Sequence, residues 1–77
     1  MLDTYVAFQS IVVEDTVHSL VRREERICDR MSELELRGDT DSQYYRELQS
    51  AYRVNEYAID CSQSELTYLN WLQSILL

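Results

Sequence analysis

The chain has 77 residues, with fourteen acids against seven bases and a formal net charge of -7. That length allows one domain with a small core, expected to span residues 1–77. All seven bases are arginine; so acidic a chain is not expected to bind nucleic acid directly or an anionic membrane, both of which need a basic face, and it favours a basic partner or mimicry of a nucleic acid.

The first element is predicted as a helix over about 4–37. Asp3 or Thr4 can cap its start. Val6, Val13, Leu20, Ile27 and Leu34 recur every seven residues. Asp3, Ser10, Val17, Glu24 and Met31 interleave with them. Together they make a seam of the coiled-coil kind, with one apolar and one half-polar row. Between them lies the charged cluster Arg22-Arg23-Glu24-Glu25-Arg26, which reads as an exposed face laced with i, i+3 and i, i+4 pairs.

The chain then breaks at Arg37-Gly38-Asp39-Thr40-Asp41-Ser42. Gly38 is the only glycine, and there is no proline. A glycine suits the left-handed position just past a helix C-terminus. Arg37 meets the negative end of the helix dipole. Thr40 and Gln43 have capping-box spacing, which makes Thr40 the expected N-cap of the next helix. The turn is predicted over 38–40. This helix-stop reading uses all of Arg37-Gly38-Asp39, so the tripeptide is not taken as an integrin-binding string.

A second helix is predicted over about 41–76. Tyr45, Tyr52, Ile59, Leu66 and Gln73 form one heptad row, and Leu48, Asn55, Ser62, Leu69 and Leu76 the other. Two seams of similar length on either side of a short turn predict an all-α fold, a coiled-coil-like antiparallel two-helix hairpin. With the turn centred near Asp39 and Thr40, facing residues have numbers summing to about 79. Leu34 then meets Tyr45, Ile27 meets Tyr52, Leu20 meets Ile59 and Val13 meets Leu66. The polar members Glu24 and Asn55 also fall opposite each other. A buried polar pair can fix alignment at a cost in stability; Glu24 can also snorkel past Asn55 to solvent.

The seam leaves apolar residues over. Val54, Tyr57, Cys61, Tyr68, Trp71 and Ile75 form a second stripe on helix two, with Tyr5, Phe8, Ile11 and Val12 as its shorter counterpart on helix one. Both lie at the open end, away from the turn. All seven arginines fall between Arg22 and Arg53 with eight acids, so that half carries -1; Asp3, Glu14, Asp15, Glu56, Asp60 and Glu65 give the rest -6. Aromatic side chains are favoured interface anchors, and contiguous apolar surface marks an interface. The candidate partner-binding residues are therefore Tyr5, Phe8, Val12, Tyr57, Tyr68, Trp71 and Ile75, with the acids Glu56, Asp60 and Glu65. A partner would be a protein that is basic around an apolar groove. Alternatively, two hairpins could dimerise into a four-helix bundle and make the stripe core.

Catalysis and metal binding have little to stand on. His18 falls near Cys61 with Glu14 one turn back, but without zinc-ligand spacing. A bare hairpin offers neither a pocket nor oxyanion donors to a Cys-His pair. No enzyme activity, cofactor or metal is expected. Cys28 and Cys61 make no disulfide framework. Asp3 stands where a signal peptide wants a base. The longest uncharged run, Leu66 to Leu77, is short of the roughly 20 residues of a membrane helix. A cytoplasmic protein is expected.

Arg37-Gly38-Asp39 followed by Gln43-Tyr44, with Glu56, Ala58 and Ile59 further on, resembles the small helical-hairpin E component of type III secretion systems, the needle-subunit co-chaperone. The resemblance covers roughly Met31 to Ile59 and implies a co-chaperone that binds a helical-repeat partner, without catalysis. The aromatic end from Tyr68 to Leu77 departs from that pattern. Residue chemistry and resemblance together favour a non-enzymatic interaction module, a co-chaperone or adaptor. The alternatives are a phage or mobile-element inhibitor of the anti-CRISPR or anti-restriction type, acting through its acids, and a structural homodimer.

Overall fold

The structure, a computed structural model, describes residues 2–76. Two helices, α1 (Leu2–Leu36) and α2 (Gln43–Leu76), fold back on each other as an antiparallel hairpin. The molecule measures 55 × 14 × 14 Å, the length that about 35 helical residues give at 1.5 Å each. Helix α1 is unbroken through its charged cluster.

The connection is built largely from the residues the sequence singled out. Gly38 has φ 74°. The Asp39 N–H donates to the Leu34 carbonyl (2.8 Å) and the Gly38 N–H to that of Glu35 (3.0 Å). These are the paired bonds of a Schellman stop, with Arg37 as the C-cap. The entry to α2 differs from expectation. Its N-cap is Ser42, whose Oγ accepts from the Tyr45 N–H at 3.1 Å. Thr40 and Asp41 lie before the helix, because the Schellman turn itself uses the residues up to Asp39. Ser42-to-Tyr45 has the same three-residue spacing as the expected box, displaced by two positions. At the other end α1 already runs from Leu2, so Asp3 and Thr4 lie inside its first turn rather than ahead of it. Removing the Ser42 hydroxyl (Ser42→Ala) is expected to lower stability by about 1 kcal/mol, while Thr40→Ala stays within about 0.5 kcal/mol. Urea melts followed by circular dichroism compare the two.

The core is one layer of seam residues. Val6, Val13, Ile27 and Leu34 from α1 pack with Tyr45, Ile59 and Leu69 from α2. Near the open end Val6, Val13 and Leu69 form a cluster flanked by Leu66 and Leu72, in keeping with facing numbers that sum to about 79. The half-polar rows are accommodated individually. Ser10 is buried and donates to its own helix, to the Val6 carbonyl at 3.0 Å. Tyr45 donates its phenol to Glu35 at 2.7 Å. Asn55 is 3% exposed. Its Nδ2 donates at 2.8 Å to the Leu20 carbonyl, one turn before Glu24, and its Oδ1 has no partner. Asn55 therefore spans the two helices to main chain rather than to the Glu24 side chain. Glu24 is half-buried and lies beside Tyr52.

This layer is thin for the chain's size. Among the described residues no side chain is fully buried. A compact monomer of 9.2 kDa exposes about 4,900 Å², whereas the hairpin exposes 5832 Å². Its radius of gyration is 17.2 Å, against about 11.5 Å for a compact chain of this length. Roughly 900 Å² of surface that a globular fold would bury faces solvent here.

Candidate protein-interaction surface

Each helix buries a narrow seam, so the next positions round it fall to one flank or the other. On one flank, Leu20, Arg23 and Ile27 of α1 with Ala51, Val54 and Ala58 of α2 line a shallow groove. A neighbouring hollow shares Leu20 and Arg23 and extends to Val12 and Thr16. Glu65 belongs to this flank by the seven-residue period from Ala58. On the opposite flank Glu56 comes near Cys28 and Tyr52. Burial, then the carboxylates of Glu24, Asp29 and Glu56, push the Cys28 thiol above its usual value. The carboxylates of Glu56 and Glu24 do the same to the Tyr52 phenol. This side of the hairpin is negative at close quarters, and Asp60 continues it one turn beyond Glu56.

All ten residues singled out from the sequence are exposed. Tyr5, Phe8, Tyr57, Tyr68, Trp71 and Ile75 are 56–72% exposed, which is unusual for the aromatic five, each of which buries 150 Å² or more when covered. Tyr68 and Trp71 stack, with ring centroids 5.9 Å apart and an interplanar angle of 30°. The open end thus presents Tyr5 and Phe8 on α1 and Tyr68, Trp71 and Ile75 on α2. Tyr57 stands apart toward mid-length, where a hydrogen bond with Cys61 raises its phenol.

The acids do not join the aromatics as a single face. Glu65 shares the groove flank, whereas Glu56 and Asp60 sit toward the other. The sequence pattern showed that these residues avoid the seam; which residues of α1 and α2 share a flank follows from the antiparallel pairing. The groove itself was not singled out. Its signal was the heptad pair Ala51 and Ala58 directly beside the seam, small residues that leave a channel where longer ones would fill it.

Among the described residues no group of three or more His, Cys, Asp and Glu side chains could hold a metal ion. No helix among them is long and apolar enough to cross a membrane. Both cysteines are free and exposed. No protein family, curated protein or solved structure matches this chain.

Proposed function

We propose that this chain is a non-enzymatic protein–protein interaction module, a co-chaperone or adaptor that holds a larger protein against the open end of the hairpin. The observation that carries this reading is the display of Tyr5, Phe8, Tyr68, Trp71 and Ile75 at one end of a fold too thin to bury them. Aromatic anchors on an acidic chain suit a partner with an apolar groove and a basic rim: the groove takes the rings, and the rim meets Glu65. The likeness of roughly Met31 to Ile59 to the type III secretion co-chaperone component supports the same class. A cytoplasmic setting fits it.

A photo-crosslinking residue at Tyr68, expressed in the cell that encodes the chain, is expected to trap a discrete partner. The same residue at Ser32, on the exposed surface near the turn, should not trap it. Equal yields at both positions would remove the open end from consideration.

The acids support a second reading, an inhibitor that occupies a nucleic-acid site. Glu56 and Asp60 lie exposed toward the flank away from the groove. Under that reading, reversing Glu56, Asp60 and Glu65 to lysine abolishes binding and binding weakens steeply with salt, whereas the adaptor reading makes the aromatics decisive.

A further inference from the structure

The groove at mid-length continues the stripe of Val54, Tyr68 and Ile75 toward the turn, and its inference stands whether or not the adaptor reading does. Leu20, Ile27, Ala51, Val54 and Ala58 give it apolar walls, and Arg23 stands at its rim. Ala51 and Ala58, one heptad apart, keep the α2 wall low enough for another helix to approach closely. Arg23 has no ion-pair partner among the described residues.

We infer that this flank takes a second copy of the chain, with the two hairpins stacked face to face and antiparallel. One feature selects that occupant and a second sets its orientation. The first is area: the roughly 900 Å² of excess exposed surface matches the roughly 800 Å² each partner contributes to a standard interface. The second is charge. One half of the chain carries six acids and no base, and the other carries all seven arginines together with eight acids, a net -1. Stacked parallel, the copies would set six acids beside six. Stacked antiparallel, each acid-only half runs along the other copy's near-neutral half, which avoids that repulsion, and Arg23 lies among the residues that face the second chain.

A two-fold axis across the helices makes such an interface self-complementary. Placed at the groove, near Val54, it brings the alanine-bearing stretches of the two α2 helices together. The groove lies nearer the turn than the open end, so the open ends project past the stacked region. Their aromatics then remain available to a different protein.

Sedimentation of the full chain from about 5 to 200 µM reads the association by mass action. The expected species is a dimer of about 18 kDa, twice the 9.2 kDa chain. Ala51→Glu is expected to raise the dimer Kd at least tenfold with helicity unchanged, as is Ala58→Glu. The two are independent, so a folding defect in one leaves the other to decide. Gln63→Glu, on the opposite flank, should leave the Kd unchanged.

Orientation is read from nitroxides at Thr40→Cys in a chain with Cys28→Ser and Cys61→Ser. From Val54 to the turn is about 15 residues, so antiparallel stacking separates the two labels by roughly 45 Å at 1.5 Å per residue. A monomer throughout the range, a dimer indifferent to both glutamates, or labels within about 20 Å of each other would each overturn the inference.

Discussion

Asn55→Leu is expected to stabilise the hairpin by about 2 kcal/mol, and Asn55→Asp to destabilise it by about 3 kcal/mol or more. The wild-type side chain is buried with half its hydrogen-bonding capacity used: Nδ2 reaches the Leu20 carbonyl, and Oδ1 reaches nothing. An unpaired buried acceptor costs about 1–3 kcal/mol. Leucine removes that acceptor and adds apolar contact to Leu20 and Ile27 across the seam. The Leu20 carbonyl is not orphaned, because within α1 it still accepts the i+4 N–H. Two kcal/mol should raise the midpoint of thermal unfolding by roughly 8–16 °C for a chain of this size.

Aspartate has nearly the same shape but, when ionised, no donor, and it would set a carboxylate against a carbonyl. Its folded pKa must rise. The stabilising bond of the protonated acid is then fully present below the unfolded carboxylate value of about 3.9 and lost as pH rises through the folded value. Melts of Asn55→Asp should therefore improve toward acid relative to wild type. A leucine variant that melts below wild type would show that the cross-helix bond outweighs the unpaired oxygen. The retention of so expensive a residue is consistent with a role in alignment, since the Leu20 carbonyl sits at one height on α1 and apolar seam residues are interchangeable.

Periodicity alone located the hairpin, its seams and its stop. Seven-residue spacing identifies what must be buried, and one glycine in a chain without proline leaves a single natural turn. Gly38, the Val13–Leu66 neighbourhood and the buried Asn55 follow from those facts. Finer details depend on geometry that spacing does not encode. Thr40 and Ser42 each precede a residue three positions on that could close a cap, and the Schellman turn decides between them by extending to Asp39. Glu24 and Asn55 share a layer number, but an asparagine side chain reaching between packed helices finds main chain before it finds a carboxylate that can turn to solvent. At the candidate surface, avoidance of the seam was legible for all ten residues. A heptad position also places each residue on one side of its own helix, but which residues of the other helix share that side depends on the antiparallel pairing.

Trp71→Ala is expected to weaken binding of the partner trapped at Tyr68 by about 2 kcal/mol or more, roughly thirtyfold. The hairpin itself should change in stability by no more than about 0.5 kcal/mol. The contrast follows from placement. Trp71 is 56% exposed and is not a member of the buried seam cluster, so the isolated chain loses little when it is cut back. Its stacking on Tyr68 holds the ring in place before binding, which reduces the ordering cost an interface must meet. Trp71→Phe, which keeps an aromatic face for Tyr68, should recover part of the lost affinity. Isothermal titration against the trapped protein reads affinity, and urea melts read stability. If Trp71→Ala binds as wild type does while reversal of Glu56, Asp60 and Glu65 to lysine abolishes binding, the acids rather than the rings make the contact and the inhibitor reading displaces the adaptor. If affinity and stability fall together, Trp71 belongs to a core that the single hairpin does not contain, and the open ends themselves are where copies of the chain meet.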